Sequence, residues 1–460
     1  MNTTHVDSLP KGLKLGWSVG AAGVSMLMNG VSAVILFYLV SIVKMDPALA
    51  GGLVFAFKLL DVVTDPVMGI ISDRTRSPLG RRRPYLLIGS ILAPASMVVL
   101  FSTPAFDAGW ATVAYVCFAL FLYTIGYTVF NVPYITMPAE MTDGYHERSS
   151  IHAYRVAFVA VGSTIGTVVG LLLLERYGQN RDTYGLIAWL KGGFVFVTMI
   201  TCFFATRSAR VIARTEAVPQ FWTQARTLLQ NRYFLLVLSA KLFQLIGIFG
   251  IASAGYFFFL SCLQLNESSL IAYSLAQTAG AVLSAPLLVR VSRYLGKRNS
   301  YIAAGLVNVL VALSWYLASP GEPLLNVIVR GFCLGIPFAG NVLLAMSMLT
   351  DTIEYDARRT GIRREGIYTA MYSFVEKFAG AFGPLIVGLL LAQAGFDKEL
   401  APKAAQSPEV FAAVLVGMAL LPAVTSTIAA FIISFYKLDE ETLDRTELED
   451  FAEAAPARVP

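Results

Sequence analysis

Long hydrophobic segments separated by short polar ones dominate the sequence. Residues 31–43, 88–101, 111–125 and 410–435 contain almost no charged side chains. A bilayer core is about 30 Å thick, so a helix needs roughly 20 apolar residues to cross it. The pattern therefore predicts an all-α membrane protein.

Reading each hydrophobic run between its flanking charges predicts twelve transmembrane helices in two halves of six. The halves are residues 1–206 and 232–436, joined by a polar connector at 207–231 and followed by a polar tail at 437–460. The predicted spans are 15–43, 48–72, 84–103, 110–138, 151–174, 185–206, 232–262, 267–290, 300–318, 323–350, 364–394 and 408–436.

Composition agrees with a lipid environment. Hydrophobic residues make up 56% of the 460 residues, charged residues only 14%, and the mean hydropathy is +0.65. A soluble protein usually carries about 25% charged residues, so too little polar surface is available here to cover a soluble globule. The four cysteines lie inside apolar segments and the three histidines lack metal-ligand spacing.

Nothing in the sequence points to an enzyme. It contains no paired nucleophile and base, no metal constellation and no phosphate-binding glycine loop. The net charge of +5 comes from basic residues in loops, so it does not indicate nucleic acid. We expect no cofactor, a small-molecule substrate, and a chain that functions as a monomer in the bilayer.

Basic residues predict the orientation. With both termini inside, cytoplasmic segments hold about 24 Lys and Arg and outside loops about five, as the positive-inside rule requires. The location expected from this is the cell (inner) membrane, with both termini in the cytoplasm.

The two halves resemble each other at the loop that follows their second span. The segment 73–83 ends in Gly80 followed by three arginines, and 292–298, about 216 residues later, contains Gly296 followed by Lys297 and Arg298. A repeated six-span half with basic loops at equivalent places is similar to the major facilitator superfamily. That fold implies alternating access, in which the halves rock around a central site.

Span two contains three charged residues. Because a charged side chain is costly inside the bilayer, their presence indicates a functional or structural role. Lys58, Asp61 and Asp65 are spaced three and four residues apart, which puts them on one face of the helix. Two carboxylates on such a face favour a bound sodium ion or proton, so we expect cation coupling. A static ion-pair network is the alternative interpretation.

Other polar residues within spans are candidates for the substrate site. Arg155 could serve a polar end of the substrate, and Lys377 could pair with Asp61 or Asp65 and link ion and solute binding. Lys191, Lys241 and Arg330 could equally extend to the membrane interface. Hydrogen bonds or aromatic faces could come from Tyr127, Asn131, Tyr134 and Tyr372, for which plain packing is an equal alternative.

The arginines after span two predict a cytoplasmic gate. Arg81, Arg82 and Arg83 lie outside the bilayer, and we expect them to pair in one transport state only. Their expected partners are the acidic residues Glu140, Asp143 and Asp351.

Four stretches in both halves resemble the glycoside–pentoside–hexuronide:cation symporters, which include the melibiose carriers. The first contains Asp61-Val-Val-Thr-Asp65-Pro-Val-Met-Gly69, Asp73-Arg-Thr-Arg and Gly80-Arg-Arg-Arg-Pro-Tyr85. The second runs from residue 127 to 134, the third from 147 to 155, and the last from 351 to the sequence Phe374-Val-Glu-Lys377.

The resemblance implies roles for particular residues. The family's cation site falls on Asp61, Asp65 and Thr128, and Asp73 belongs to the gate motif. Basic residues of the coupling apparatus fall on Lys58, Arg155 and Lys377. Two aspartates that hold sugar hydroxyls in the melibiose carriers are replaced by Ser25 and Asn131, and two tryptophan positions by Ile135 and Val342.

The sequence therefore predicts a secondary active transporter that couples sodium or proton entry to uptake of a glycoside, sugar or hexuronide. A melibiose-like galactoside is disfavoured, because the hydroxyl acceptors have been replaced. A sodium-dependent lysophospholipid carrier is the alternative, since the pattern Lys377-Phe-Ala-Gly380 is similar in that branch. An uncoupled uniporter is a further possibility.

Overall fold

A computed structural model describes residues 9–142, 145–209, 228–360 and 364–438, without the side chains of 139 and 145–149. All regular elements in these ranges are helical. Most of the predicted connector and tail lies outside the described residues, as does Asp143.

The chain divides into two compact units. Unit 1 comprises Met1–Thr215 with two short segments, Asn266–Ile271 and Leu391–Ala404, and unit 2 comprises the rest. The helices of the first unit are α1 Lys11–Ser32, α2 Ile35–Phe37, α3 Pro47–Arg74, α4 Arg83–Phe101, α5 Gly109–Thr136, α6 Pro138–Met141, α7 Tyr145–Tyr177 and α8 Arg181–Ala205.

Later helices build unit 2, although α10 and α12 each begin or end within the short segments of unit 1. They are α9 Arg232–Tyr256, α10 Glu267–Leu313, α11 Leu324–Thr360, α12 Glu365–Gln393, α13 Pro408–Leu415 and α14 Leu421–Ser434. Short π-helical turns at Tyr38–Ile42, Phe257–Cys262 and Val416–Leu420 extend α2, α9 and α13.

The helices account for the predicted spans. Among the described residues, nine helices are long and apolar enough to cross a bilayer, and α1 with the helix that follows it adds a pair bent by 48°. Helix α3 is 28 residues long, but its intramembrane charges reduce its apolar character. Helix α10 contains the predicted span 267–290 and most of the predicted span 300–318. The two meet at a kink at Gly296, where the backbone φ is 76°.

Side-chain caps fix where several helices begin. The Asp46 carboxylate accepts from the Leu49 N–H, and Pro47 supplies the preset φ of the first helical residue. Asn180, Asn231 and Ser407 cap α8, α9 and α13 in the same way. These starts are therefore encoded locally.

The internal repeat extends to the backbone. In each half, a π-helical turn ends just before a residue with positive φ: Lys44 at 68° and, 220 positions later, Gln264 at 53°. The basic loops agree as well, because Gly80 and Gly296 have φ values of 91° and 76°, which glycine adopts without a steric penalty. Equivalent stretches of the two halves thus fold alike.

In unit 1, helix packing determines what lies next to the face of span two that carries Lys58, Asp61 and Asp65. Helix α3 packs against α5, α1 packs against both α7 and α8, and α4 packs against α5 and α8. In unit 2, α9 packs against α11 and α14 around a buried core that includes Tyr233, Val237, Tyr301 and Met348.

Candidate functional site

The contact of α3 with α5 brings the expected cation ligands together. The Thr128 hydroxyl donates to Oδ1 of Asp65 at 2.9 Å. Thr64, one residue before Asp65, places its hydroxyl 3.4 Å from that of Thr128 and 3.4 Å from the Asp61 carbonyl. Two carboxylates and two hydroxyls therefore occupy neighbouring positions on these two helices.

Lys58 continues this stripe toward the break in the first span. Its ammonium group donates to the Ser32 hydroxyl at 3.0 Å. Ser32 is the last residue of α1, immediately before the bend. The lysine expected beside the aspartates thus also contacts the end of a broken helix.

Arg155 lies on α7 beside the Tyr134 hydroxyl. Tyr134 is fully buried, with its ring stacked on Trp17 at a centroid distance of 4.6 Å. The Trp17 indole donates to the Tyr134 carbonyl at 3.2 Å. Tyr134 therefore packs α5 against α1, while Arg155 lies next to its polar end.

The two positions that replace the melibiose-carrier aspartates are both buried. Ser25 donates to the Ala22 carbonyl of its own helix at 3.1 Å. Asn131 is 6% exposed, and its Oδ1 makes no hydrogen bond with the described residues. Ser25 also faces α7, because a Cβ placed on Gly162 would lie 2.5 Å from its hydroxyl oxygen. Asn131 lies on α5 within one turn of Thr128.

Unit 2 contains its own polar cluster. The Lys241 ammonium lies 3.7 Å from the centre of the Tyr372 ring and 3.8 Å from Oε1 of Glu376. Lys241 therefore contacts α12 instead of extending to the membrane interface. Lys377 belongs to this unit and the aspartates to the other, so their pairing stays a prediction.

Arg81 and Arg82 pair with the acidic residue expected for them. Both guanidinium groups contact Glu140, and Arg82 also donates to Asp73 at 3.1 Å. Arg83 differs: it donates to the Phe203 carbonyl at 3.3 Å, and its guanidinium carbon lies 4.8 Å from the centre of the Phe203 ring.

Asp351 is held by a residue of its own half instead of by the three arginines. Lys297 donates to both of its carboxylate oxygens, at 2.6 and 2.8 Å. Lys297 follows Gly296 as Arg81 follows Gly80, so the two ion pairs are equivalents in the repeat. Each basic loop is therefore bound to an acidic residue within its own unit.

This arrangement suits a monovalent cation. Carboxylate and hydroxyl oxygens bind hard cations, and a carboxylate can also carry a proton. No cluster of three or more His, Cys, Asp or Glu with metal-binding geometry occurs among the described residues. Asp61 and Asp65 together carry two negative charges and Lys58 carries one positive charge. The remaining negative charge matches one monovalent ion.

Three contacts of the site went unnoticed in the sequence. Ser32 and Thr64 are ordinary span residues by pattern, and they gain partners only where Lys58 of α3 reaches the end of α1 and where α3 packs against α5. The 216-residue spacing of the basic loops was the available signal for the third contact, between Lys297 and Asp351.

Comparison with known proteins identifies relatives along almost the whole chain. The family described as MFS/sugar transport protein matches residues 16–440. The chain is 28% identical to the uncharacterized symporter YnaJ of Bacillus subtilis, over 96% of this chain and 95% of that protein. It is 25% identical to the putative glycoside/cation symporter YagG of Escherichia coli, over 94% and 93%.

A solved structure shows the same fold. The nucleoside transporter NupG superposes with a TM-score of 0.66 at 14% sequence identity, covering 93% of this chain and all of that one. At this identity the likeness concerns the fold alone.

Proposed function

This chain belongs to the MFS/sugar transport protein family, and we propose that it is a cation symporter for a sugar-like solute. It is an integral membrane protein, with apolar helices of spanning length throughout the described residues. The symporters among its relatives support coupling to a cation, and the family supports a sugar-like solute.

The hydrogen bond from Thr128 to Asp65 is the observation that carries the proposal. It joins α3 and α5 at the stripe that also contains Asp61 and Lys58. Such a contact between helices makes the geometry of an ion site depend on how the helices pack. Ion binding and conformational change then influence each other, which is what symport requires.

The finer features of the proposal concern the ion and the membrane. We propose sodium or a proton as coupling ion at Asp61, Asp65 and Thr128. Arg155 and Lys377 then serve substrate binding and coupling. The excess of basic residues in alternate loops supports both termini in the cytoplasm of an inner-membrane protein.

Gradient-driven uptake tests the proposal. Purified full-length protein would be reconstituted in liposomes and given a panel of 4-nitrophenyl glycosides, with a lysophospholipid as the alternative substrate. An inward sodium gradient and an inward proton gradient are imposed separately. We expect internal glycoside to exceed the external concentration under one of the two gradients.

The Asp65→Asn variant is the matched control, since it removes the carboxylate charge at nearly constant volume. It should lose accumulation while remaining folded. Equal internal and external glycoside under both gradients in the wild type would overturn cation symport. Accumulation of lysophospholipid alone would overturn the substrate class.

A further inference from the structure

A lysine lies deep inside unit 1, away from the aspartate stripe. Lys191, on α8, is 8% exposed. Its ammonium group lies between two glycines of neighbouring helices: a Cβ placed on Gly170 of α7 would be 2.9 Å from Nζ, and one on Gly30 of α1 would be 3.7 Å from it. The absence of side chains at these glycines creates the space that the ammonium group occupies.

Among the residues that the structure describes, the Lys191 ammonium has no hydrogen-bond or ion-pair partner. This distinguishes it from Lys14, which is also buried and donates to Ser150, and from the half-buried Lys241, which contacts Glu376. Gly30 lies in the last turn of α1, where the helix dipole favours a cation. That effect offsets only part of the cost of a charge inside a membrane protein.

The Lys191 ammonium group lies close to an exposed position of α1. Asn29, next to Gly30, is exposed and donates to the Ser163 hydroxyl of α7 at 2.8 Å. Farther along α7 the helices approach more closely, since a Cβ on Gly162 would lie 2.2 Å from the Ala22 carbonyl of α1. The seam between α1 and α7 is therefore wider at Gly170, where the lysine lies.

Charge balance in unit 1 also calls for an anion. Away from the helix ends, its described spans contain three cationic side chains and two carboxylates. These are Lys58, Arg155 and Lys191, and Asp61 and Asp65. A coupling cation at the aspartates increases the positive excess, and an anionic group entering with it reduces that excess.

We propose that the Lys191 ammonium group, beside Gly30 and Gly170, is a binding site for the acidic group of the transported solute. The inference rests on the proposed transport function and narrows its substrate to glycosides that carry a carboxylate or sulfonate. A free inorganic anion such as chloride shares this chemistry. The solute's own acid is favoured because the ammonium group lies beside the exposed end of α1 at Asn29.

A matched pair of ligands isolates the acidic group. 4-Nitrophenyl β-glucuronide and 4-nitrophenyl β-glucoside differ only in a carboxylate that replaces a hydroxymethyl group. Binding to the purified full chain would be measured by calorimetry in chloride and in gluconate buffer. We expect the wild type to bind the glucuronide about tenfold to a hundredfold more tightly, the range of a charge-assisted hydrogen bond.

Three variants test whether Lys191 causes the preference. Lys191→Met should abolish it while leaving glucoside affinity unchanged. Gly170→Ala keeps the charge but places a methyl group against the ammonium group, which must move, so it should reduce the preference as well. Lys14→Met, a similarly buried lysine that has a partner, should retain the preference, and thermal unfolding verifies that each variant is folded.

The possible results separate this inference from the proposed function. Equal affinity for both ligands in the wild type, or a preference that persists in Lys191→Met, overturns the anion site. Replacing gluconate by chloride could change ligand affinity in the wild type but not in Lys191→Met. If the wild type then shows no preference for the glucuronide, the site binds a free anion, and the assignment to the solute is overturned. Preference without gradient-driven accumulation supports the site and overturns symport. A wild type that binds neither ligand but accumulates another glycoside of the panel overturns the anion site and leaves symport supported.

Discussion

The Thr128 hydroxyl positions one oxygen of Asp65, so its removal should weaken the cation site without destroying it. Thr128→Ala is expected to raise the cation concentration needed for half-maximal uptake about tenfold, the effect of losing a hydrogen bond to a charged group. Thr128→Ser keeps the hydroxyl and should behave like the wild type. Unchanged cation dependence in Thr128→Ala would show that Asp65 does not need this contact.

Asp61 and Asp65 carry the charge of the same site. Each single replacement by asparagine should abolish uphill accumulation, while exchange of solute across the membrane can persist. Normal accumulation in both variants would show that the coupling ion binds elsewhere.

Lys377 and Glu376 are adjacent in α12 and allow a paired test. Neighbouring residues on a helix point about 100° apart, and Glu376 contacts Lys241 in its own unit. Lys377→Ala is expected to weaken cation-driven uptake and change its dependence on pH, because the predicted pairing of Lys377 with Asp61 or Asp65 would be lost. Glu376→Gln should retain the cation dependence of uptake. If Lys377→Ala also retains it, Lys377 has only a structural role.

At the scale of elements, the two basic loops repeat one ion-pair arrangement. Arg81 and Arg82 bind Glu140, and Lys297 binds Asp351. In both loops a glycine of positive φ directly precedes the basic residues. We infer that the loops act as equivalent cytoplasmic gates.

Breaking either pair should therefore have the same consequence. Arg82→Gln and Lys297→Gln are each expected to slow transport about fivefold, as loss of about 1 kcal/mol of stabilisation would, with little change in substrate affinity. Arg76→Gln, an exposed arginine of the same loop, is the control. A large loss of equilibrium binding in a folded Arg82→Gln variant would place the arginine at the substrate site.

For the whole molecule, the orientation can be measured directly. The distribution of basic residues predicts that both termini face the cytoplasm. A green fluorescent protein fused to the C-terminus should fluoresce in cells, and alkaline phosphatase fused there should be inactive. The opposite pair of results would reverse the topology and place Arg81–Arg83 across the membrane.

The family resemblance stated from the motifs is confirmed by the match over residues 16–440, and the helical fold by the likeness to a solved transporter. Both depend on features that act locally or recur along the chain. Hydrophobic length sets a span, a polar cap such as Asp46 sets its start, and Gly296 ends one helix segment before the next. Local chemistry of this kind is readable in the sequence.

Contacts between helices distant in the chain required the tertiary structure. The sequence places Asp61 and Asp65 on one face because helical spacing is fixed, and the family motif added Thr128. It did not indicate that Lys58 reaches Ser32, since that depends on where the first span breaks. Nor did it separate Lys191 from an interfacial lysine, because burial is decided by Gly30 and Gly170 on two other helices. The sequence alone determined which residues carry charge and which segments span the bilayer, and only packing decided which charges have partners.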